Sequence, residues 1–379
     1  MREVPAPFDG LAYDGHLVWD RFTRVFHWGL VACVSTALVS GFLLDASWIR
    51  LHLVSGSLAI ALVTARTVWG FTGPTYARFS QFLPSYRQAI SHLRAGAAHA
   101  RHIGHNPLAA LMVFVLLTLI VGLGLTGVAS LGSGLKSGPM AASLPASQGH
   151  IWSKIHELAA FALLSFIALH IGGVVLESRR SRENLARSMI NGRKEMRAGD
   201  LTAPPRPAQR ALAALFISGL VIIATGAINR MSQSPLPLPP VGSMALVYSD
   251  ECAACHMAYH PSLRPAASWQ LMMDKLDSHF GEDATLPKET GDEITVWLVK
   301  HSAETVDSKP ATLWTGLQET LPVALPNTDI WQRLHGSLAD GTFTRRTIHS
   351  RSNCFACHRD AESGWFSPFQ ISVPKEPKQ

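Results

Sequence analysis

Apolar residues along this chain gather into five long runs, at residues 25–44, 52–71, 107–130, 153–176 and 210–229. Each is close to the roughly 20 residues that a helix rising about 1.5 Å per residue needs to cross a ~30 Å hydrocarbon layer. The pattern predicts five membrane-spanning helices, and after Met231 no comparable run occurs. The remainder carries only short amphipathic stretches, such as 268–282 and 329–337, and reads as a small, mostly helical domain. The first run has no small-residue cleavage pattern and keeps a histidine inside it, so it reads as a retained anchor.

Composition agrees with this division. Of 379 residues, 47% are hydrophobic and 16% charged, too apolar for an ordinary soluble protein and too mixed for a purely membrane one. The loop between runs two and three holds Arg78, Arg87, Arg94 and Arg101 with no acid, and the segment after run four holds Arg179, Arg180, Arg182, Arg187, Arg193, Lys194 and Arg197. The opposite loops offer mainly Arg50 and Lys136. The excess of Lys and Arg on cytoplasmic loops then places the N-terminus in the cytoplasm and everything after the fifth run outside it. Residues 242–379 carry 12 Lys and Arg against 17 Asp and Glu, net −5, while residues 1–241 carry 21 against 10, net +11. The basic balance of the whole chain is thus a matter of membrane topology, and no nucleic-acid role follows from it.

Histidines inside the apolar runs need a reason, because ionisable groups are costly there. His156 and His170 lie fourteen residues apart in run four. Fourteen residues span roughly 21 Å and return to nearly the same helix face, so one helix offers two imidazoles near opposite membrane edges. His27 lies near the cytoplasmic end of run one and His52 near the outer end of run two. Matching depths pairs His52 with His156 and His27 with His170, enough for two non-covalent haems. The same offset leads from His27 to Gly41, where a macrocycle can approach the backbone closely. From His52 it leads to Arg66, a charge that either meets a haem propionate or snorkels to the cytoplasmic surface.

The outer region carries two copies of one motif, Cys252-Ala-Ala-Cys255-His256 and Cys354-Phe-Ala-Cys357-His358. In C-x-x-C-H the thiols attach to haem vinyl groups and the histidine binds the iron from one face. A four-cysteine zinc site or two disulfides would explain the cysteines but not a histidine after each pair. Cys33, alone in run one, reads as a small apolar filler. Each iron then wants a second ligand. His260, only four residues past His256, is unsuited to the opposite face if that stretch is helical. His279 and His335 are far enough along to fold back, His301 and His349 are reserves, and Met272 or Met273 is an alternative to His279.

Residues 251–286 and 352–366 resemble the dihaem cytochrome c family. The resemblance implies two bis-histidine haems, with His279 and His335 as the second ligands. Residues 17–200 resemble the bacterial cytochrome b561 family, including the cytochrome b subunits of nickel-iron hydrogenases, through Arg24–Trp28, the block His52–Gly70, Gly104–Gly127, the His156 and His170 pair, and Glu183–Lys194. The combined expectation is an all-α protein. Residues 1–200 form a four-helix membrane domain with two b haems, 201–243 a fifth transmembrane helix and Pro-rich linker, and 244–379 a periplasmic dihaem cytochrome c domain.

Function follows as an expectation. Two membrane haems followed by two outside haems form a chain of one-electron carriers in the bacterial inner membrane, most simply from a membrane quinol to a soluble periplasmic cytochrome or other redox protein. A quinone site would draw on the neighbourhood of His27, Arg24, His170 and Arg179. An anchor subunit for a dehydrogenase or hydrogenase, a haem-based sensor, superoxide oxidation at the outer b haem, and self-association as a homodimer stay open. Two other signals lead elsewhere. Gly122–Gly127 satisfies G-x-G-x-x-G but lies in an apolar run, where small residues serve helix packing, and Ser234–Ser243 reads as a short, stiff linker rather than a proline-rich ligand.

Overall fold

The computed structural model describes residues 15–45, 48–83, 85–95, 101–232, 243–318, 323–339 and 341–375. The linker read at 234–243 lies outside them except for Ser243. The chain divides into two compact units, one of Met1–Leu43, Leu51–Gly124 and Glu157–Ala227, the other of Leu44–Arg50, Leu125–His156 and Ile228–Gln379. The second unit thus gathers two short stretches at helix ends and loops of the apolar region together with the whole C-terminal part.

The apolar runs form helices α1 (Arg21–Phe42) and α2 (Ile49–Thr72), then, after the short amphipathic α3 (Tyr86–Ala95), α4 (Pro107–Gly134) and α5 (Gly149–Ser181). These four apolar helices are long enough to cross a membrane, and no more than 22% of the most apolar window of any of them is buried inside the protein. Apolar side chains therefore face outward, which suits lipid rather than water, and the protein is an integral membrane protein. The helices outrun the apolar runs at their ends. Helix α1 begins four residues early because Asp20 caps it, accepting from the Thr23 amide at 3.1 Å, so Arg21 and Arg24 join its first turns.

Between the spans, Ala59, Val63, Ile120 and Leu163 form a buried cluster, with Cys33 packed against it as a filler. Gly124, within the Gly122–Gly127 stretch, admits the Ile60 side chain, which would lie 2.4 Å from any Cβ placed there. Small-residue helix packing is thus what that motif does here. Following α5, α6 (Leu185–Asn191) ends at Gly192, whose φ of +82° closes the helix in the left-handed region and needs a residue without Cβ. Strand β2 (Arg193–Lys194) then pairs antiparallel with β1 (His16–Leu17). Arg101 secures the same side through ion pairs to Glu183 and Asp200, both at 3.0 Å.

The fifth run forms α7 (Arg210–Ser232), apolar over Arg210–Ile223 where its side chains are described. The C-terminal region is helical as expected, with α8 (Ser243–Cys252), α9 (Ala266–Met273), α10 (Lys288–Lys300), α11 (Lys309–Trp314) and α12 (Asp329–His335) joined by 3-10 turns. Two apolar clusters hold it. Tyr248, Trp269, Met272, Ile294 and Leu298 form one, and Leu263, Ala303, Ala311, Trp314, Leu325 and Trp331 the other. The stretch 268–282 is not one helix. Helix α9 stops at Met273, a 3-10 turn covers Leu276–Ser278, and Phe280 (φ +53°) and Gly281 (φ +99°) turn the chain after His279.

Candidate haem sites

In the C-terminal region the first motif histidine, His256, meets the first distal candidate, His279, and the second, His358, meets His335. The His256 and His279 rings have centroids 6.1 Å apart and planes 28° from parallel. The His335 and His358 rings are 6.2 Å apart, with planes at 79°. An imidazole nitrogen sits about 2 Å from a bound metal and the ring centre about 1 Å beyond, so two imidazoles on opposite faces of one iron have centres roughly 6 Å apart. Both pairs meet that spacing.

Local structure explains how each ring is held. Cys252 ends α8, so its thiol leaves a helix terminus, while Cys354–Ala356 form a 3-10 turn that leads into Cys357 and His358. None of the five cysteines is disulfide-bonded. Burial pushes the Cys252 and Cys354 thiols up to about 11. His335 ends α12, where its Nδ1 faces the Trp331 carbonyl at 2.9 Å and its ring stacks on the Trp331 indole at 4.2 Å. That hydrogen bond occupies Nδ1 and leaves Nε2 for a metal. The Nδ1 of His256 likewise faces the Met257 carbonyl at 2.7 Å. Burial lowers the His279, His335 and His358 imidazoles below their ordinary value, favouring the neutral form that ligates.

The other candidates are placed elsewhere. His260 does not sit on a helix with His256. It caps a 3-10 turn, facing the Ser262 hydroxyl at 2.8 Å, and Gly364 (φ +71°) packs on its ring so closely that a Cβ would come within 2.5 Å. Burial, with His301 nearby, pushes His260 down to about 4. Met272 is 6% exposed in an apolar cluster, and Met273 packs against the same cluster. His301 turns its Nδ1 to the Trp297 carbonyl at 2.8 Å, and His349 sits in a loop at φ +66°. Tyr259 touches both apolar clusters, lies 5.3 Å from the His256 ring, and donates to the Ser352 carbonyl at 3.2 Å. It therefore ties the first motif to the second.

In the first unit, His27 on α1 and His170 on α5 are near enough for their imidazoles to interact electrostatically. Around them lie buried polar atoms without a hydrogen-bond partner, among them His27 Nδ1, Arg66 Nη1, Arg24 Nε and His105 Nδ1. Arg66 does not snorkel. It is 3% exposed and its guanidinium lies 4.8 Å over the Phe79 ring, a contact that Gly70 permits because a Cβ there would come within 2.1 Å of Phe79. Orphaned polar atoms around two neighbouring imidazoles are what a propionate-bearing haem would satisfy. Arg24 Nη1 is committed to the Ile190 carbonyl at 2.6 Å, and Arg179 is exposed.

Two residues here escaped the sequence reading. His105 is wedged 4.1 Å from Phe82 and 4.8 Å from Trp19, and burial, with Arg66, Lys194 and His170 nearby, pushes it down to about 3. Lys194 is 6% exposed beside the Trp19 ring. The available signal was position. His105 precedes α4 where the chain enters from the side that carries His27 and Arg66.

His52 and His156 are each held by their own surroundings. His52 Nδ1 faces the Ala37 carbonyl at 3.0 Å, and Gly41 lies against the ring, where a Cβ would stand 3.2 Å from Cε1. Gly41 thus makes room for an imidazole. His156 Nδ1 meets Thr126 Oγ1 at 3.1 Å, and Gly127 makes the same space, 3.2 Å from Cε1. Both contacts occupy Nδ1. Removing the Thr126 hydroxyl in Thr126→Val should weaken haem retention at His156 about tenfold, since partners that orient a ligating histidine are typically worth that much. Haem titration of the apoprotein measures it, and unchanged affinity would show the bond to be incidental.

Residues 18–192 match the family described as prokaryotic cytochrome b561, and residues 248–366 the family described as dihaem cytochrome c. The first part is similar to a probable Ni/Fe-hydrogenase B-type cytochrome subunit of Bradyrhizobium diazoefficiens, 29% identical over 48% of this chain and 86% of that protein. The corresponding Escherichia coli protein, named as a probable Ni/Fe-hydrogenase 1 B-type cytochrome subunit, is 21% identical over 50% of this chain and 95% of its own length. Among solved structures, a diheme cytochrome c from Rhodobacter sphaeroides is 34% identical, covering 34% of this chain and 98% of that one with a TM-score of 0.29. A diheme cytochrome type c from Shewanella baltica is 27% identical, covering 35% and 95%, with a TM-score of 0.29.

Proposed function

Because the chain belongs to the prokaryotic cytochrome b561 family over residues 18–192 and to the dihaem cytochrome c family over residues 248–366, we propose that it conducts electrons from a membrane quinol to a periplasmic acceptor. The observation that carries the reading is the pair of facing imidazole sets at 6.1 and 6.2 Å, in one chain with a membrane helix bearing His156 and His170. The haems supply one-electron redox chemistry, and the protein supplies position and potential.

His27 and His170 would hold the inner b haem, with Arg66 and Lys194 disposed to meet its propionates. His52 and His156 hold the outer one, paired by their depth along the helices. Cys252 and Cys255 attach the first c haem, held by His256 and His279. Cys354 and Cys357 attach the second, held by His358 and His335. Eight histidines used in this way leave no iron open, which favours transfer over ligand binding or oxygen chemistry. Helix α7 serves as a fifth crossing. With the basic loops cytoplasmic it brings the C-terminal domain to the periplasm of the bacterial inner membrane. The acidic charge of that domain suits a basic soluble cytochrome or similar redox protein.

The relatives' names favour a second reading, in which the chain anchors and drains a hydrogenase-like partner subunit. Anaerobic stopped-flow mixing with a quinol separates the two. The conduit reading expects the b absorption bands to reduce first and the c bands to follow. No reduction by quinol, together with a dehydrogenase subunit that co-purifies, would replace it with the anchor reading.

A further inference from the structure

Within the second unit, the loop 135–148 that joins α4 to α5 is gripped by one residue of the C-terminal domain. Asp307, just before α11, receives the Lys136 ammonium on Oδ2 at 2.5 Å and the Ala146 amide on Oδ1 at 2.6 Å. One carboxylate therefore closes on both ends of the loop. Lys136 is 2% exposed, its backbone is held at φ +47°, and its ammonium also donates to the Leu144 carbonyl at 2.8 Å. A buried ammonium without its carboxylate is strongly unfavourable, so the contact is part of the folded arrangement rather than a loose surface pair. A second contact lies apart from it. Arg50, in the first turn of α2, donates to the Phe369 carbonyl at 3.4 Å and lines a cleft with Arg359 and Gln370.

Both contacts lead to the second haem motif, and the Asp307 contact reaches toward the first only through Leu263 and Tyr259 of the same cluster. Ser308 caps α11, accepting from the Ala311 amide at 3.2 Å, and Ala311 and Trp314 of that helix pack in one cluster with Trp331. Trp331 is the ring on which His335 stacks. The Arg50 contact reaches the segment whose Ile371 bridges to the His358 backbone, next to Arg359. By contrast Cys255 and His256 are exposed, and their surroundings pack in the other cluster.

We propose that the domain docks on the α4–α5 loop and the start of α2 through Asp307 and Phe369 with its second motif toward them, so that electrons enter at the His335 and His358 haem and leave from the His256 and His279 haem. The order of transfer is then the reverse of the order in sequence. Asp307 is a positioning residue, and its partner is the α4–α5 loop of the same chain. The electron order rests on the conduit reading above, whereas the docking does not.

The test uses the full-length, haem-loaded protein and its Asp307→Ala variant. Asp292→Ala serves as control, since among the described residues Asp292 pairs with exposed Lys288 at 2.7 Å on α10. Hydrogen exchange should quicken at least about tenfold at the Ala146 amide and across 359–372 in Asp307→Ala, and stay unchanged across 266–282 and in the control. After photoreduction of the b haems, b-to-c transfer should slow about tenfold or more in Asp307→Ala, with both c-haem spectra unaltered. Unchanged exchange at Ala146, or faster exchange centred on 266–282, overturns the docking. Lost protection with an undiminished b-to-c rate overturns the entry order while leaving the conduit intact. Absence of b-to-c transfer in the parent protein refutes the conduit reading and the electron order with it, and the exchange pattern alone then decides the docking.

Discussion

A His170→Ala variant should purify with about one b haem where the parent carries about two, while its c haem content stays at about two. On the proposed reading His170 shares a b haem with His27, whose imidazole is near enough to interact with it electrostatically, and a non-covalent haem that lost one of these two histidines would have only contacts and propionate pairs to hold it. On the same reading the c haems would be unaffected, because thioether bonds to Cys252, Cys255, Cys354 and Cys357 would hold them. Pyridine haemochrome spectra count both kinds at once. His105→Ala is the informative comparison. His105 lies in the same buried neighbourhood, but it is wedged between Phe82 and Trp19 and should leave two b haems in place. Loss of a b haem in His105→Ala together with full retention in His170→Ala would reassign the inner ligand.

The second large effect is at the first c haem. On the proposed reading His279→Ala should keep its haem, since Cys252 and Cys255 would hold it covalently. It should also convert that iron from carbon-monoxide-inert and low-spin to a form that binds about one carbon monoxide per protein. The ground is the 6.1 Å separation of the His256 and His279 rings. His260→Ala should leave the spin state unchanged and lower the stability of the domain, because His260 is tied to Ser262 and packed under Gly364. A high-spin signal in His260→Ala with none in His279→Ala would reverse the two roles.

Much of this arrangement was legible in the chain because its signals are local or periodic. A C-x-x-C-H motif is complete within five residues. A membrane span announces itself over twenty, since lipid demands an unbroken apolar surface, and the fourteen-residue spacing of His156 and His170 needs only helix geometry to interpret. The ends of elements were less legible. The early start of α1 depends on Asp20, and the break after Met273 depends on how Phe280 and Gly281 turn. Neither alters the hydrophobic pattern.

The sequence by itself determined that the chain is a multi-span membrane protein with a C-terminal domain bearing two C-x-x-C-H motifs, and it offered four histidines within the spans as candidate haem ligands. Only the tertiary structure decided which distal histidine faces which motif, that Arg66 is buried on Phe79 rather than extended to the surface, that His105 and Lys194 belong to the inner neighbourhood, and that Asp307 reaches Lys136 from 171 positions away. The physical reason is range. Hydrophobic runs and covalent motifs act between neighbours in the chain, whereas a second axial ligand, a propionate partner or a buried ion pair is chosen by what the packing of distant segments brings within a few ångströms.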